Sequence, residues 1–390
     1  MTRLDAAWLD SPALSAVVAA LGGRAYFVGG CVRNTLLGQP VSDIDITTPI
    51  LPREVSRLIE AAGLRAVPTG IEHGTVTAVS GGEGFEVTTF RADVSTDGRR
   101  ATVRFSEDLA EDAARRDFTM NAIYVRPDGE IVDPLGGLPD VLARRVRFIG
   151  DPHDRIREDY LRILRFFRFT AWYGGAEGIE PEGLAACAEM ADGLDRLARE
   201  RVGAEMRKLL AAPDPAPAVA AMAASGVLAR CLPGASPALL APLVHAEGVA
   251  AAAPDWLARL AVLGGEDAAG ALRLSRAEAK ELASIRALLD DPPPVATAAH
   301  DRGARAARAM ALVMAAQGDS GRLAGLEDEI ARGLAAEFPL SAADLMAIGM
   351  RPGPDLGRAL EAARTRWLAS DFSLDKAALL AQVGDIGHKH

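Results

Sequence analysis

The stretch Tyr26-Phe27-Val28-Gly29-Gly30-Cys31-Val32-Arg33, followed by Asp43-Ile44-Asp45-Ile46, decides how the first third of the chain folds. Tyr26 to Val28 is a short apolar run that reads as a strand, and Val32 to Leu37 reads as the opening of a helix. Two glycines between them let backbone amides approach a phosphate closely, with the helix dipole favouring the anion. Arg33 then falls in the first turn, where it would contact a phosphate. In the second segment a strand period of two puts Asp43 and Asp45 on one face and Ile44 and Ile46 on the other. Adjacent carboxylates repel unless a cation sits between them, and hard oxygen ligands that leave room for phosphate suit Mg²⁺. A phosphate cradle beside a carboxylate pair implies metal-assisted attack on a nucleoside triphosphate. Alone, Gly-Gly is usually a tight turn and Asp-x-Asp a solvated loop. The isoleucines alternating with the acids weigh against the plainer reading.

The chain has 390 residues, which predicts two or three domains rather than one core. Its composition, 49% hydrophobic and 25% charged, is that of a soluble globular protein. No apolar run approaches bilayer length, so no membrane association is expected, and Asp5 and Asp10 are unlike a signal peptide. Cys31, Cys187 and Cys231 fit neither a disulfide framework nor a zinc site, so a reduced, cytoplasmic protein is expected. A net charge of −10 argues against wholesale coating of nucleic acid, but it does not exclude a local patch. Residues 144–168 hold eight arginines against four acids and read as locally basic. The scarcity of lysine, four in all, is most simply genomic base composition.

Residues 1–23 read as one amphipathic helix, with Leu14, Val17, Val18 and Leu21 at helical spacing and Gly22-Gly23 as its end. From 24 to about 135 short β-rich runs mix with short helices. Strands are expected at 25–28, 43–47, 74–79, 85–90, 102–105 and 121–125, and a helix at 52–62. Turns fall at Gly81-Gly82, Asp97-Gly98 and Asp128-Gly129. This is an α+β unit on one sheet. Beyond about 151 the pattern is helix after helix, broken at glycines and prolines, and the Ala-rich region past 240 says little about chemistry. Trp256 and Trp367 read as core or interface residues there.

Three further groups bear on chemistry. Glu86, opening the alternating run Glu86-Val87-Thr88-Thr89-Phe90, is a third carboxylate in the sheet region; by spacing alone it reads as an outward-facing polar residue. Arg115-Arg116 precedes a moderately apolar run and could clamp a triphosphate, although an ordinary surface pair is the plainer reading. In Glu158-Asp159-Tyr160-Leu161-Arg162-Ile163-Leu164-Arg165-Phe166-Phe167-Arg168, helical spacing puts Tyr160, Leu164, Phe167 and Ala171 on one apolar face. Asp159, Arg162 and Arg165 then lie together on another, where Asp159 and Arg162 suggest an intrahelical salt bridge. The same pair also forms an acceptor–donor edge. A carboxylate accepts from an exocyclic amino group while a guanidinium donates to the adjacent ring nitrogen. Cytosine and adenine fit, and uracil and guanine, with a carbonyl facing the carboxylate, do not. His153-Asp154 and His300-Asp301 read as ordinary helix-boundary residues.

The run Tyr26 to Gly38 with Asp43-Ile44-Asp45-Ile46-Thr47-Thr48 resembles the first motif of the bacterial class II CCA-adding tRNA nucleotidyltransferases, shared with bacterial poly(A) polymerases. Glu86 to Arg91, Arg115 to Ala122, Asp133-Pro134-Leu135-Gly136-Gly137 and Glu158 to Phe169 match further motifs in the same order. The resemblance implies a polymerase-β-like nucleotidyltransferase head with one mixed sheet (1–140), then an all-helical neck with the nucleotide-reading helix (141–210) and a tRNA-binding body and tail (211–390). It implies Asp43 and Asp45 as Mg²⁺ ligands, with Glu86 as the third catalytic carboxylate. Gly29, Gly30, Arg33 and Arg116 are implied as nucleotide contacts, Asp159 and Arg162 as the template for C and A, and Arg165 and Arg168 as contacts beside them. Asn34 stands where many members carry Asp. The implied activity is template-independent addition of CCA to the tRNA 3′ end from CTP and ATP, releasing pyrophosphate. The segment Arg91 to Arg104, with a mobile turn at Asp97-Gly98-Arg99-Arg100, resembles the loop of members that switch from C to A. A poly(A) polymerase, a CC-adding enzyme and a catalytically silent RNA-binding protein are the alternatives.

Overall fold

The computed structural model describes residues 3–97 and 100–387, so of the turn expected over Asp97-Gly98-Arg99-Arg100 the two central residues lie outside the described residues. The first helix, α1 (Pro12–Ala20), starts later than the apolar spacing suggests. Pro12 lacks an amide hydrogen and suits the first helical turn, and the Ser11 side chain accepts from the Leu14 amide at 3.4 Å. The residues before it do not join the helix. Leu4 donates its amide to the Gly129 carbonyl at 2.8 Å, and Arg3 bridges to Glu130. Leu14, Val17 and Leu21 are buried as the spacing required.

The head is built from β1 (Tyr26–Val28), α2 (Gly30–Leu36), β2 (Asp45–Thr48), α3 (Pro52–Ala61), β3 (Arg65–Gly70), β4 (Thr75–Ser80) and β5 (Glu83–Thr89). There follow β6 (Arg91–Asp97), β7 (Arg100–Phe105), α4 (Leu109–Ala114), β8 (Tyr124–Val125), β9 (Ile131–Val132) and α5 (Leu138–Leu142). Among the described residues seven strands form one sheet in the order β3-β4-β5-β2-β1-β8-β9. The β2·β5 pairing is parallel and the others antiparallel, so the sheet is mixed. Strand β3 escapes the sequence pattern because Pro68 and exposed polar residues interrupt its apolar run, which an edge strand tolerates. The run expected as one strand at 121–125 is a 3₁₀ turn (Thr119–Asn121) and then β8. Among the described residues strands β6 and β7 pair only with each other, as a hairpin off the main sheet.

Helices α6 (Pro152–Glu158), α7 (Leu161–Tyr173), α8 (Pro181–Glu189) and α9 (Arg199–Leu210) follow. The helix expected to run through Asp159 is broken there. Asp159 is extended at φ −154°, ψ 107°, and its carboxylate accepts from the Leu161 amide at 3.1 Å, opening α7. The buried face of α7 is wider than the spacing suggested, comprising Leu161, Ile163, Leu164, Phe166, Phe167 and Phe169.

The chain divides into two compact units. One holds the residues up to Ala235 plus Gly265–Arg273 and contains every element named above. The other holds Ser236–Gly264 and the chain from Leu274 onward, and is helical. Trp367, 2% exposed, is in its core with Leu345, Ala363 and Leu379. Elsewhere in this unit Arg259 is buried against Glu247 at 2.6 Å. Among the described residues no helix is long and apolar enough to cross a membrane.

Candidate active site

The parallel register of β2 and β5 places Asp45 directly beside Glu86. Both are exposed, while Ile46, Phe85 and Val87 point into the core at 1%, 3% and 1% exposure. Asp43 precedes the strand rather than belonging to it, so the alternation expected over 43–46 begins only at Asp45. Asp43 is steadied by Ser42, whose hydroxyl donates to Oδ2 at 2.9 Å. It still faces the same cleft of about 750 Å³ as Asp45, Thr77 and Glu86. Although Asp45 as a whole is exposed, desolvation of its carboxyl end, then the charge of Glu86 and more weakly that of Asp43, pushes it above its ordinary range, partly offset by Arg116. The expected repulsion is therefore present. Among the described residues no group of three His, Cys, Asp or Glu side chains forms a complete metal cage. Mg²⁺ asks for less: it is usually held by one or two carboxylates plus substrate phosphates and water, and Asp43 with Asp45 on an open cleft fits that donor set.

A second cavity, of about 480 Å³, is lined in part by Gly29. Gly29 adopts φ 78°, ψ −126°, a conformation that strains any residue with a Cβ. A Cβ placed there would lie 3.6 Å from Arg116 Nη1 and 3.8 Å from Asp45 Oδ2, so this glycine is the junction of cavity and cleft. The cavity gathers Gly29, Gly30, Arg33, Arg116, Asp159, Arg162 and Arg165 from sequence positions far apart.

Each of its arginines is held. Arg33 is 6% exposed and donates to Asn121 Oδ1 at 2.5 Å, to the Tyr173 hydroxyl at 2.8 Å and to Asn34 Oδ1 at 2.9 Å, with its guanidinium 3.9 Å from the Tyr173 ring centre. Burial lowers its pKa without discharging it at neutral pH. Asn34 also donates its amide to the Pro40 carbonyl at 2.9 Å, which the Asp common at this position could not do. Arg116 donates to Asp112 at 3.2 Å and to the Tyr124 hydroxyl at 3.2 Å. Burial opposes its charge, but Tyr124 and Asp112 outweigh burial and raise its pKa. Arg165 Nε donates to the buried Asp117 at 2.8 Å, and Asp117 also accepts from Asn121 at 2.8 Å.

Asp159 and Arg162 are not paired to each other. Asp159 Oδ2 accepts from Arg201 on α9 at 2.7 Å, and Arg162 Nη1 donates to Glu158 and to the Arg155 carbonyl at 2.8 Å. The break between α6 and α7 takes Asp159 out of the helical geometry that an i,i+3 pair needs. Arg168 does not reach the cavity: it is bound to Glu205 at 2.6 Å, with its guanidinium 4.6 Å from the centre of the Phe169 ring that does line the cavity. Sequence reasoning missed Arg201, Asn121 and Phe169. Asn121 and Phe169 stood inside motifs already singled out, but nothing local marks Arg201. The locally basic segment is largely neutralised: Arg145 and Arg147 bind Asp140, Arg157 binds Asp154, and Arg155 and Arg162 share Glu158. His153 lies 2.8 Å from Glu189, and His300 packs on Trp367 with ring centres 5.3 Å apart.

Residues 25–147 match the model of the poly A polymerase head domain, and 178–239 that of a probable RNA- and SrmB-binding site of polymerase A. The chain is 46% identical over 199 residues to the CCA-adding enzyme of Lacticaseibacillus paracasei, covering 50% of this chain and 48% of that protein. It is 44% identical over 184 residues to human mitochondrial CCA tRNA nucleotidyltransferase 1, covering 47% and 42% respectively. The chain thus spans about half the length of the curated relatives it matches. The fold is similar to a Thermotoga maritima CCA-adding enzyme solved with tRNA, at a TM-score of 0.71 and 20% identity, with 100% of each chain covered. It is also similar to the Bacillus stearothermophilus CCA-adding enzyme solved with CTP, at a TM-score of 0.75 and 30% identity, with 97% of this chain and 98% of that one covered. With this identity sustained over both whole chains, and with the motif residues assembled around one glycine junction, the chain belongs to the family of CCA-adding enzymes.

Proposed function

We propose that this chain adds CCA to the 3′ end of tRNA from CTP and ATP, without a nucleic-acid template and with release of pyrophosphate. The observation that carries the reading is the junction at Gly29, where a carboxylate cleft for the attacking end meets a cavity holding an acceptor–donor pair for the base. Asp43 and Asp45 would hold Mg²⁺, which when bound supplies charge stabilisation for the attacking and leaving oxygens. Glu86, beside Asp45, takes the proton of the tRNA 3′-hydroxyl as that oxygen attacks the α-phosphorus. The backbone around Gly29 and Gly30 and the guanidinium of Arg116 receive the triphosphate. Arg33 braces this cradle from beneath through Asn121 and Tyr173.

The base is read by Asp159 and Arg162. Their partners set them in advance: the Leu161 amide and Arg201 hold the carboxylate, and Glu158 and the Arg155 carbonyl hold Nη1 of Arg162. Arg162 keeps Nη2 and Nε for a ring nitrogen, and Asp159 keeps lone pairs for an amino group. Arg165 stands beside them, and Arg168 contributes through Phe169. Residues 1–140 act as the catalytic head, 141–210 as the neck carrying the reading helix, and 211–390 as a tRNA-binding body and tail, in a cytoplasmic protein. The test is the ratio of CTP to UTP incorporation into tRNA lacking its terminus. Asp159→Ala removes the carboxylate that opposes the uracil carbonyl, so the ratio falls by about 10²-fold. An unchanged ratio, with only a lower melting temperature, would mean that the base is read elsewhere.

A further inference from the structure

One buried carboxylate with no part in the chemistry above makes contacts that join two regions of the site. Asp112, on α4, is 1% exposed. Its Oδ1 accepts the backbone N–H of Arg91 at 3.3 Å and Nε of Arg115 at 3.2 Å. Its Oδ2 accepts the Tyr124 hydroxyl at 2.8 Å and Nη2 of Arg116 at 3.2 Å. The Tyr124 oxygen in turn accepts from Nε of Arg116 at 3.2 Å, with the guanidinium carbon 5.5 Å from its ring centre. Arg91 opens the β6–β7 hairpin, and Arg116 lines the nucleotide cavity against Gly29.

A guanidinium on a long side chain reaches a fixed position only when its partners hold it there, and partners on two edges define both its place and its plane. Asp112 and Tyr124 do this for Arg116. A neutral partner at position 112 would keep much of the packing but release the arginine and put a donor where donors already converge. We propose that Asp112 is a positioning residue for nucleotide binding: it sets Arg116 in the cavity and, through the Arg91 amide, ties that arginine to the stem of the hairpin. The inference rests on reading the cavity as the CTP and ATP site.

The neighbouring Glu111 supplies the control. It holds the other hairpin strand, accepting from Arg104 at 2.9 Å and from the Ser106 hydroxyl, while Arg116 is held instead by Asp112 and Tyr124. The experiment titrates CTP into the full chain without tRNA, and measures KM and kcat for CTP and the melting temperature, for wild type, Asp112→Asn, Tyr124→Phe and Glu111→Gln. Asp112→Asn should weaken CTP binding about tenfold and raise KM alike, with kcat within about threefold. Tyr124→Phe should move both in the same direction by less, and Glu111→Gln should leave the dissociation constant within about twofold whatever its melting temperature. In an Arg116→Gln background, Asp112→Asn should cost no further affinity. Wild-type CTP affinity in Asp112→Asn, or equal weakening in Glu111→Gln, overturns the proposal. If Asp112→Asn does not fold, Tyr124→Phe decides the matter, because it keeps the charge and loses only the bridge. A wild type that binds neither CTP nor ATP overturns the nucleotide reading itself, and this role with it.

Discussion

Asp45 stands in a neighbourhood that disfavours its charge, with Glu86 across the strand pairing and Asp43 just upstream. Removing either aspartate relieves that repulsion and also removes an oxygen that, in the proposed reading, would hold Mg²⁺. Asp43→Ala and Asp45→Ala should therefore abolish nucleotide addition while the melting temperature stays level or rises. Addition within a few fold of wild type in either variant would remove the metal assignment. That these acids share one cleft was legible in the sequence because their signals are local. A glycine pair between a strand and a helix, and acids alternating with isoleucines, identify themselves within a few positions. The placing of Asp159 and Arg162 in one cavity was legible, but their partnerships were not. The true partner of Asp159 is Arg201, 42 residues away, and the segment between α6 and α7 abandons the helical spacing from which a salt bridge was inferred. Arg168 shows the opposite failure, since a motif names it a contact while Glu205 holds it outside the cavity.

The β6–β7 hairpin pairs with no other strand among those described, and its base is tied to the head. That base is the contact of the Arg91 amide with Asp112 and of Arg104 and Ser106 with Glu111. A tethered hairpin beside the cavity-lining arginine is suited to adjusting one site to two bases of different size. Deleting residues 95–100 should spare both cytidine additions and block the terminal adenosine, read as product length on a sequencing gel. Equal loss of C and A addition would make the hairpin structural instead. The hairpin strands were only partly legible, because 85–90 reads as one run although the chain passes from β5 to β6 at Phe90. Strand β3 was hidden by its proline and its exposed edge position, and the first helix was drawn too long because apolar spacing says nothing about where Pro12 must stand.

Across the first unit the acids that hold the site arginines also contribute stability that depends on pH. Burial raises the pKa of Asp112 and of Asp117, but it is outweighed at the first by the charges of Arg116 and Arg115 together with the Tyr124 hydroxyl and the Arg91 amide, and at the second by the charge and hydrogen bond of Arg165 together with Asn121 and the Phe118 amide, so both lie below the ordinary Asp value of 3.8. A carboxyl more acidic in the folded than in the unfolded chain stabilises the fold fully above that ordinary value. The contribution is lost as pH falls below 3.8 through the lowered folded values. Unfolding free energy measured by denaturant should therefore drop across this acid window, and Asp117→Asn should flatten the drop. A slope unchanged in that variant would show that Asp117 titrates alike in both states. At this scale the sequence was informative about the head and nearly silent about the second unit, whose Ala-rich helices bury Trp367 and the Arg259–Glu247 pair without any pattern that marks chemistry. The central claim, addition of C, C and A in order without a template, is tested most directly by supplying tRNAs that end at the discriminator base, at C and at CC with each NTP singly and with CTP and ATP together, and sizing the products. Two additions to the first tRNA and one to the second are expected with CTP alone, one addition to the third with ATP alone, a finished CCA end on all three with both, and none with UTP or GTP. Repetitive extension by ATP, or no extension of any of the three, would contradict it.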